Sequence, residues 1–115
     1  MKVRRSFDFD AAHRLPRHPG KCRELHGHSY RLVVTVDRGV DPASGLAVDF
    51  SDLKAVVKRE VVDLLDHSFV NDRIENPTAE VMAVWIWNRL AGPLAGLAEI
   101  ELFETRSCSV VYRGE

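Results

Sequence analysis

The stretch Cys22-Arg23-Glu24-Leu25-His26-Gly27-His28-Ser29-Tyr30-Arg31-Leu32-Val33-Val34-Thr35-Val36 decides how this chain is read. Strand side chains alternate faces with a period of two, so His26, His28, Tyr30, Leu32, Val34 and Val36 share one side. Gly27 between the two imidazoles lets backbone or ligand approach closely. Upstream, from Val3 to His13, the odd positions are mostly apolar and the row ends at His13, which places that imidazole at the edge of a buried face. Two neighbouring strands then offer three histidines to one cation.

Three neutral imidazoles suit zinc, and a three-ligand zinc with an open fourth position belongs to the catalytic class, whereas structural sites close with four protein ligands. Cys22 leaves both arrangements open: it is either the fourth ligand of a closed set or a free thiol beside an open one. His18, between Arg17 and Pro19 in a polar loop, reads as solvent-exposed and not as a ligand.

The 115 residues predict one domain spanning 1–115, with a modest core. Sixteen basic and 17 acidic residues give a formal net charge of −1, without the broad positive field of a nucleic-acid binder. Arg14, Arg17, Lys21 and Arg23 crowd near the histidines, which suits an anionic small molecule and equally suits ordinary surface charge. The N-terminus lacks the apolar core of a signal peptide and no stretch has the length of a membrane span, so a cytoplasmic protein is expected. Cys22 and Cys108 make no disulfide framework in a reducing compartment, and Cys108 reads as a small strand residue.

Residues 2–12 and 27–37 read as two long strands, and 38–45 as a turn, with 46–50 a short extension. Ser51 is expected to cap a helix whose Leu53, Val56, Val57, Val61, Leu64 and Leu65 follow helical spacing. A second helix starts near Asn76-Pro77-Thr78, with Pro77 in the first turn, and runs through Trp85 and Trp87 towards Leu90; Met82, Trp85 and Ile86 read as packing residues. Gly92-Pro93 stops it, and 97–105 and 108–112 close the chain as strands. The order ββααββ implies an α+β fold, a four-stranded antiparallel sheet with two helices on one face. The other face and the edges then need cover, which sister subunits supply.

Asp66-His67 falls in the loop after the first helix, where a carboxylate can orient an imidazole, or where a histidine simply meets a helix C-terminus. Glu104 shares its parity with Ile100 and Leu102, so a carboxylate is expected on an apolar strand face, a costly place unless a ligand supplies N–H donors.

Six stretches taken in order resemble the motifs of the 6-pyruvoyl-tetrahydropterin synthase and 6-carboxy-tetrahydropterin synthase family. They are Phe9-Asp-Ala-Ala-His13-Arg-Leu15, Cys22 to Tyr30, Val48 to Lys54, Leu65-Asp66-His67, Asn76-Pro77-Thr78-Ala-Glu80 and Glu104-Thr105. The resemblance spans nearly the whole chain and implies the tunnelling fold, with subunits assembled as trimeric barrels stacked into hexamers. Three residues between Cys22 and the His-Gly-His motif resemble the 6-carboxy branch; the 6-pyruvoyl branch typically has one more.

The implied reaction takes 7,8-dihydroneopterin triphosphate to 6-carboxy-5,6,7,8-tetrahydropterin, releasing triphosphate and acetaldehyde, in 7-deazaguanine and queuosine precursor synthesis. By the same resemblance His13, His26 and His28 hold Zn2+ and Cys22 is the base. His67, oriented by Asp66, assists from an adjacent subunit; Glu104 anchors the pterin, with Thr78 and Glu80 as further contacts. Asp10 stands where relatives commonly carry Ser, and Ser68-Phe69 where they often carry Lys and another aromatic, which bears on substrate grip. Two alternatives remain: 6-pyruvoyl or sepiapterin-cleaving activity on the same scaffold, and a non-catalytic zinc-binding assembly protein with Cys22 as fourth ligand.

Overall fold

A computed structural model describes residues 1–115. Strands β1 (Lys2–His13) and β2 (His26–Asp37) form a full-length antiparallel ladder, in which Lys2 faces Asp37 at one end and His13 faces His26 at the other. After β2 come helix α1 (Phe50–Val57), a π-helical segment (Lys58–Val62) and a closing turn α2 (Asp63–Leu65), followed by a two-residue strand β3 (Ser68–Phe69). Helix α3 (Ala79–Leu90) and strands β4 (Leu97–Phe103) and β5 (Ser109–Tyr112) complete the chain.

The sheet has five strands in the order β3-β1-β2-β4-β5. The expected α+β, ββααββ arrangement holds, with the strand count corrected from four to five. The extra strand pairs parallel to β1, Ala11 with Ser68 and Ala12 with Phe69. Two residues are too few to display an alternation.

The core lies between one sheet face and the helices. Phe9, Ala11, Tyr30, Leu32, Val34, Val36, Ile100 and Leu102 supply the sheet side, all at most 6 % exposed. The helical side is a stripe at Leu53, Val57, Val61 and Leu65, each fully buried, with Met82, Ala83, Ile86 and Leu90 from α3. Spacing of four drifts around a regular helix by about 40° per step at 3.6 residues per turn. The wider π-helical turns at 58–62 absorb that drift and keep the stripe on the sheet. Arg89 of α3 fastens the same segment, donating to the Glu60 carbonyl at 2.6 Å and to its carboxylate at 2.9 Å.

Both helix starts shift from expectation. Asp49, not Ser51, caps α1, its carboxylate accepting the Ser51 N–H at 2.7 Å, so 46–50 forms no strand. Thr78 caps α3 through the Val81 N–H at 3.1 Å, which leaves Pro77 just before the helix instead of in its first turn. The carbonyl of Pro77 is therefore free of the helix, a point that matters for the histidines. At the head of β4, Gly96 adopts φ +81°, and a Cβ there would come within 2.5 Å of the Asp37 carbonyl oxygen. The sheet face opposite the helices is uncovered, and Arg4, Asp8 and Arg31 lie exposed on it.

Leu102 is fully buried between β2, β5 and the helices. Leu102→Ala should lower unfolding free energy by about 2–5 kcal/mol in urea titration, from lost burial and the cavity left behind. A loss below about 1 kcal/mol would mean that this position is not the packed centre described.

Candidate metal centre and substrate cavities

Register brings the three histidines together. His13 ends β1 directly opposite His26, the first residue of β2, and His28 follows on the same face. The three ring ligand atoms lie within 4.8 Å of one another. His13 is fully buried, and its Nδ1 lies 2.9 Å from the Pro77 carbonyl oxygen. His26 Nδ1 lies 2.7 Å from the Glu24 carbonyl oxygen. A carbonyl only accepts, so both Nδ1 atoms carry the proton, an assignment made from the bonding partners. Both Nε2 atoms are then bare lone pairs, and they sit 3.0 Å apart. The Nε2 of His28 is buried without any hydrogen-bond partner, and Glu104 Oε1 is 3.7 Å away.

Facing lone pairs and an orphaned buried nitrogen are unfavourable in themselves and are what a cation relieves. Burial lowers the pKa of His13 against the opposing Pro77 hydrogen bond, and burial lowers that of His28 against the opposing charge of Glu104. Neutral imidazoles are the ligand form, so the donor set fits zinc. Cys22 does not join the converging ligand atoms. Tyr30, 1 % exposed and stacked on Phe9 with centroids 5.0 Å apart, brings its hydroxyl to 3.2 Å from His13 Nδ1. Its parity with His26 and His28 was the only sequence signal for it; the Pro77 and Glu24 carbonyls gave none.

Cys22 sits half-buried in a single 3-10 turn, Lys21–Arg23. It faces a cavity of about 410 Å³ shared with His18, Thr78, Glu80, Glu104 and Cys108. Three parts of the sequence far from one another, carrying Cys22, Thr78 with Glu80, and Glu104, therefore meet in one place. His18 is exposed as expected, yet it lines this cavity too. Glu104 differs from expectation: it lies one residue beyond β4 and is partly exposed, not buried on a strand face. That position lets it line a second, larger cleft of about 880 Å³ together with His28, Tyr30 and Arg31. Arg14, Arg17, Lys21 and Arg23 line neither space; Arg31 and Arg106, both in the larger cleft, are the cations that do.

Asp66 and His67 lie elsewhere. Their side chains pair at 3.0 Å, and β1 holds them through its backbone: the Asp10 N–H donates to Asp66 Oδ1 at 3.0 Å and the Asp10 carbonyl accepts the His67 N–H at 2.6 Å. The Asp10 N–H, and then His67, hold the Asp66 carboxyl below its usual pKa. His67 is in the left-handed region at φ 55°, with its side chain 80 % exposed. The cleft it borders, with Asp10, Gly27 and His28, shares no residue with the Cys22 cavity. Within one chain the dyad and the thiol open onto different spaces.

The lowered pKa values of His13 and His28 give the metal-free protein a pH signature. The unfolded chain binds these protons near the ordinary value of 6.5, the folded chain only at lower pH. Stability is therefore full above 6.5 and falls as pH drops through and below it. Urea midpoints of metal-free protein between pH 7.5 and 5 should decline from about 6.5 downwards, and less steeply in His13→Gln. A flat profile would contradict neutral buried imidazoles.

The chain matches known proteins along nearly its whole length. The 6-pyruvoyl tetrahydropterin synthase family model matches residues 2–115. The chain is similar to the 6-carboxy-5,6,7,8-tetrahydropterin synthase of Synechocystis sp., 43 % identical over 118 residues that cover 96 % of this chain and 91 % of that one. It is likewise similar to the Homo sapiens 6-pyruvoyl tetrahydrobiopterin synthase, 33 % identical over 133 residues, covering 99 % and 92 %. The solved Caenorhabditis elegans 6-pyruvoyl tetrahydropterin synthase superposes with a TM-score of 0.91 at 27 % identity, covering 100 % of this chain and 96 % of that one. The chain belongs to the 6-pyruvoyl tetrahydropterin synthase family.

Proposed function

We propose that this protein converts 7,8-dihydroneopterin triphosphate and one water to 6-carboxy-5,6,7,8-tetrahydropterin, triphosphate and acetaldehyde, the step expected in 7-deazaguanine and queuosine precursor synthesis. The observation that carries the reading is the division of donors: three imidazoles converge beside Glu104 while Cys22 stays outside their group and faces the cavity. That division favours a catalytic over a closed structural site. The short Cys22-to-His26 spacing and the name of the Synechocystis relative support the 6-carboxy branch.

His13, His26 and His28 would hold zinc. Zinc bound there would supply Lewis acidity that polarises a side-chain oxygen of the substrate and acidifies the adjacent C–H bond. Glu104 accepts hydrogen bonds from the pterin ring N–H and amino group, and Thr78 and Glu80 add contacts from the start of α3. Cys22, in the same cavity, takes the proton from the activated carbon, and triphosphate leaves. Asp66 orients His67, which assists the thiol of a neighbouring subunit. The opening of the dyad and of Cys22 onto different spaces and the uncovered sheet face support an oligomer with shared sites, a hexamer of two trimers by family resemblance. No helix is long and apolar enough to cross a membrane, and two free thiols suit the cytoplasm.

Mass analysis of the products from 7,8-dihydroneopterin triphosphate tests the reaction. Carboxypterin with acetaldehyde is expected; a 6-pyruvoyl product without acetaldehyde would move the chain to the activity named for its human relative. Cys22→Ala should keep zinc and pterin binding and lower turnover by about 10²–10⁴-fold, as loss of a positioned base does. Loss of zinc along with activity would make Cys22 a ligand.

Reassembled mixtures of Cys22→Ala and His67→Ala subunits should regain a fraction of activity, because some interfaces then join an intact thiol to an intact dyad. Mixed oligomers as inactive as either parent would place both groups in one chain.

A further inference from the structure

The chain's second thiol is not the inert strand residue its sequence suggests. Cys108 lies between the bend at 104–107 and β5, outside the ladder, and is exposed. It lines the same cavity of about 410 Å³ as Cys22, so the only two cysteines of the chain border one small space. Cys22 sits in a single 3-10 turn and Cys108 between the bend at 104–107 and β5, so neither lies within a strand. A disulfide between them requires a Cα separation of roughly 4.4–6.8 Å. The Thr105 hydroxyl, and after it the Ser107 hydroxyl at 3.9 Å from the sulfur, hold the Cys108 thiol below its usual pKa. The thiolate is the reactive form.

We infer that Cys22 and Cys108 are a redox pair across the substrate cavity, closed by a peroxide into a reversible disulfide that shuts the site. The Cys108 thiolate attacks one peroxide oxygen, the O–O bond breaks, and a sulfenic acid and, after protonation, water result. The Cys22 thiolate then attacks the Cys108 sulfur; an S–S bond forms, the S–O bond breaks, and hydroxide leaves and takes up a proton. Two thiols and one peroxide give one disulfide and two waters, the two electrons passing from sulfur to peroxide.

The bond affects the cavity at two points. It removes the Cys22 sulfur, and it pulls on Cys108, whose carbonyl accepts the Glu104 N–H at 3.0 Å. In a reducing compartment such a disulfide is transient and serves as a sensor. Loss of turnover on closure rests on the function proposed above; formation of the bond does not.

Oligomers reassembled from nitrogen-15-labelled and unlabelled chains would be treated with hydrogen peroxide, blocked with an alkylating agent and digested without reductant for mass spectrometry. The expected product is a Cys22–Cys108 cross-linked peptide with both halves of one label, cleaved by dithiothreitol. In Cys108→Ser it should be absent, and peroxide should instead carry Cys22 irreversibly to sulfinic acid. Mixed-label cross-links, or separate oxidation of both thiols, overturns the pair. Activity should fall as the cross-linked fraction rises and return with reductant. Activity retained at full cross-linking overturns closure and, with it, Cys22 as the base; peroxide resistance without any cross-link overturns the redox pair alone.

Discussion

Two imidazole nitrogens, neither carrying a proton, face each other 3.0 Å apart at the end of the β1–β2 ladder. Lone pairs that close repel, and a cation between them relieves the contact. The rest of the site follows from how the fold enforces this contact. A twelve-residue ladder without a bulge between β1 and β2 puts His13 opposite His26, and a one-residue slip would send His26 and His28 to the exposed face. The apolar alternation that buries Phe9, Tyr30, Leu32, Val34 and Val36 therefore also fixes the metal centre. Core packing and ligand geometry are one constraint here.

The helices complete that constraint from the other side. Thr78 caps α3 and leaves the Pro77 carbonyl outside the helix, where it accepts a hydrogen bond from the His13 Nδ1–H and turns Nε2 towards the cluster. Glu24 does the same for His26 from the loop that carries Cys22. Such partners of the ligands fix ring orientation and tautomer, and so couple the start of α3 to metal affinity. The same helix start brings Thr78 and Glu80 to the Cys22 cavity, so one capping event positions groups of both the histidine cluster and that cavity.

Much of this was legible in the sequence because it rests on periodicity. Alternation located β1 and β2 and the three histidines, and apolar spacing located both helices. What periodicity could not convey was local. The strand Ser68–Phe69 is two residues long, and the backbone of Asp10, not a pattern, creates it. Asp49 and Ser51 are both good caps, and only the chain's path chooses between them. The π-helical segment has no residue signature beyond a stripe spaced by four. Glu104 kept the parity of its strand but lies past its end, and Cys108 follows a bend whose hydroxyls act on the thiol. That Cys22, Thr78, Glu80 and Glu104 meet came from family resemblance, and tertiary contact explains it: their elements converge at one end of the sheet.

The account turns on three nitrogen ligands and a thiol that stays out. X-ray absorption at the zinc edge of the zinc-loaded protein measures this directly. It should show a first shell of nitrogen and oxygen at about 2.0–2.1 Å with no sulfur scatterer. A sulfur shell at about 2.3 Å would make Cys22 a ligand, close the site, and contradict the catalytic reading.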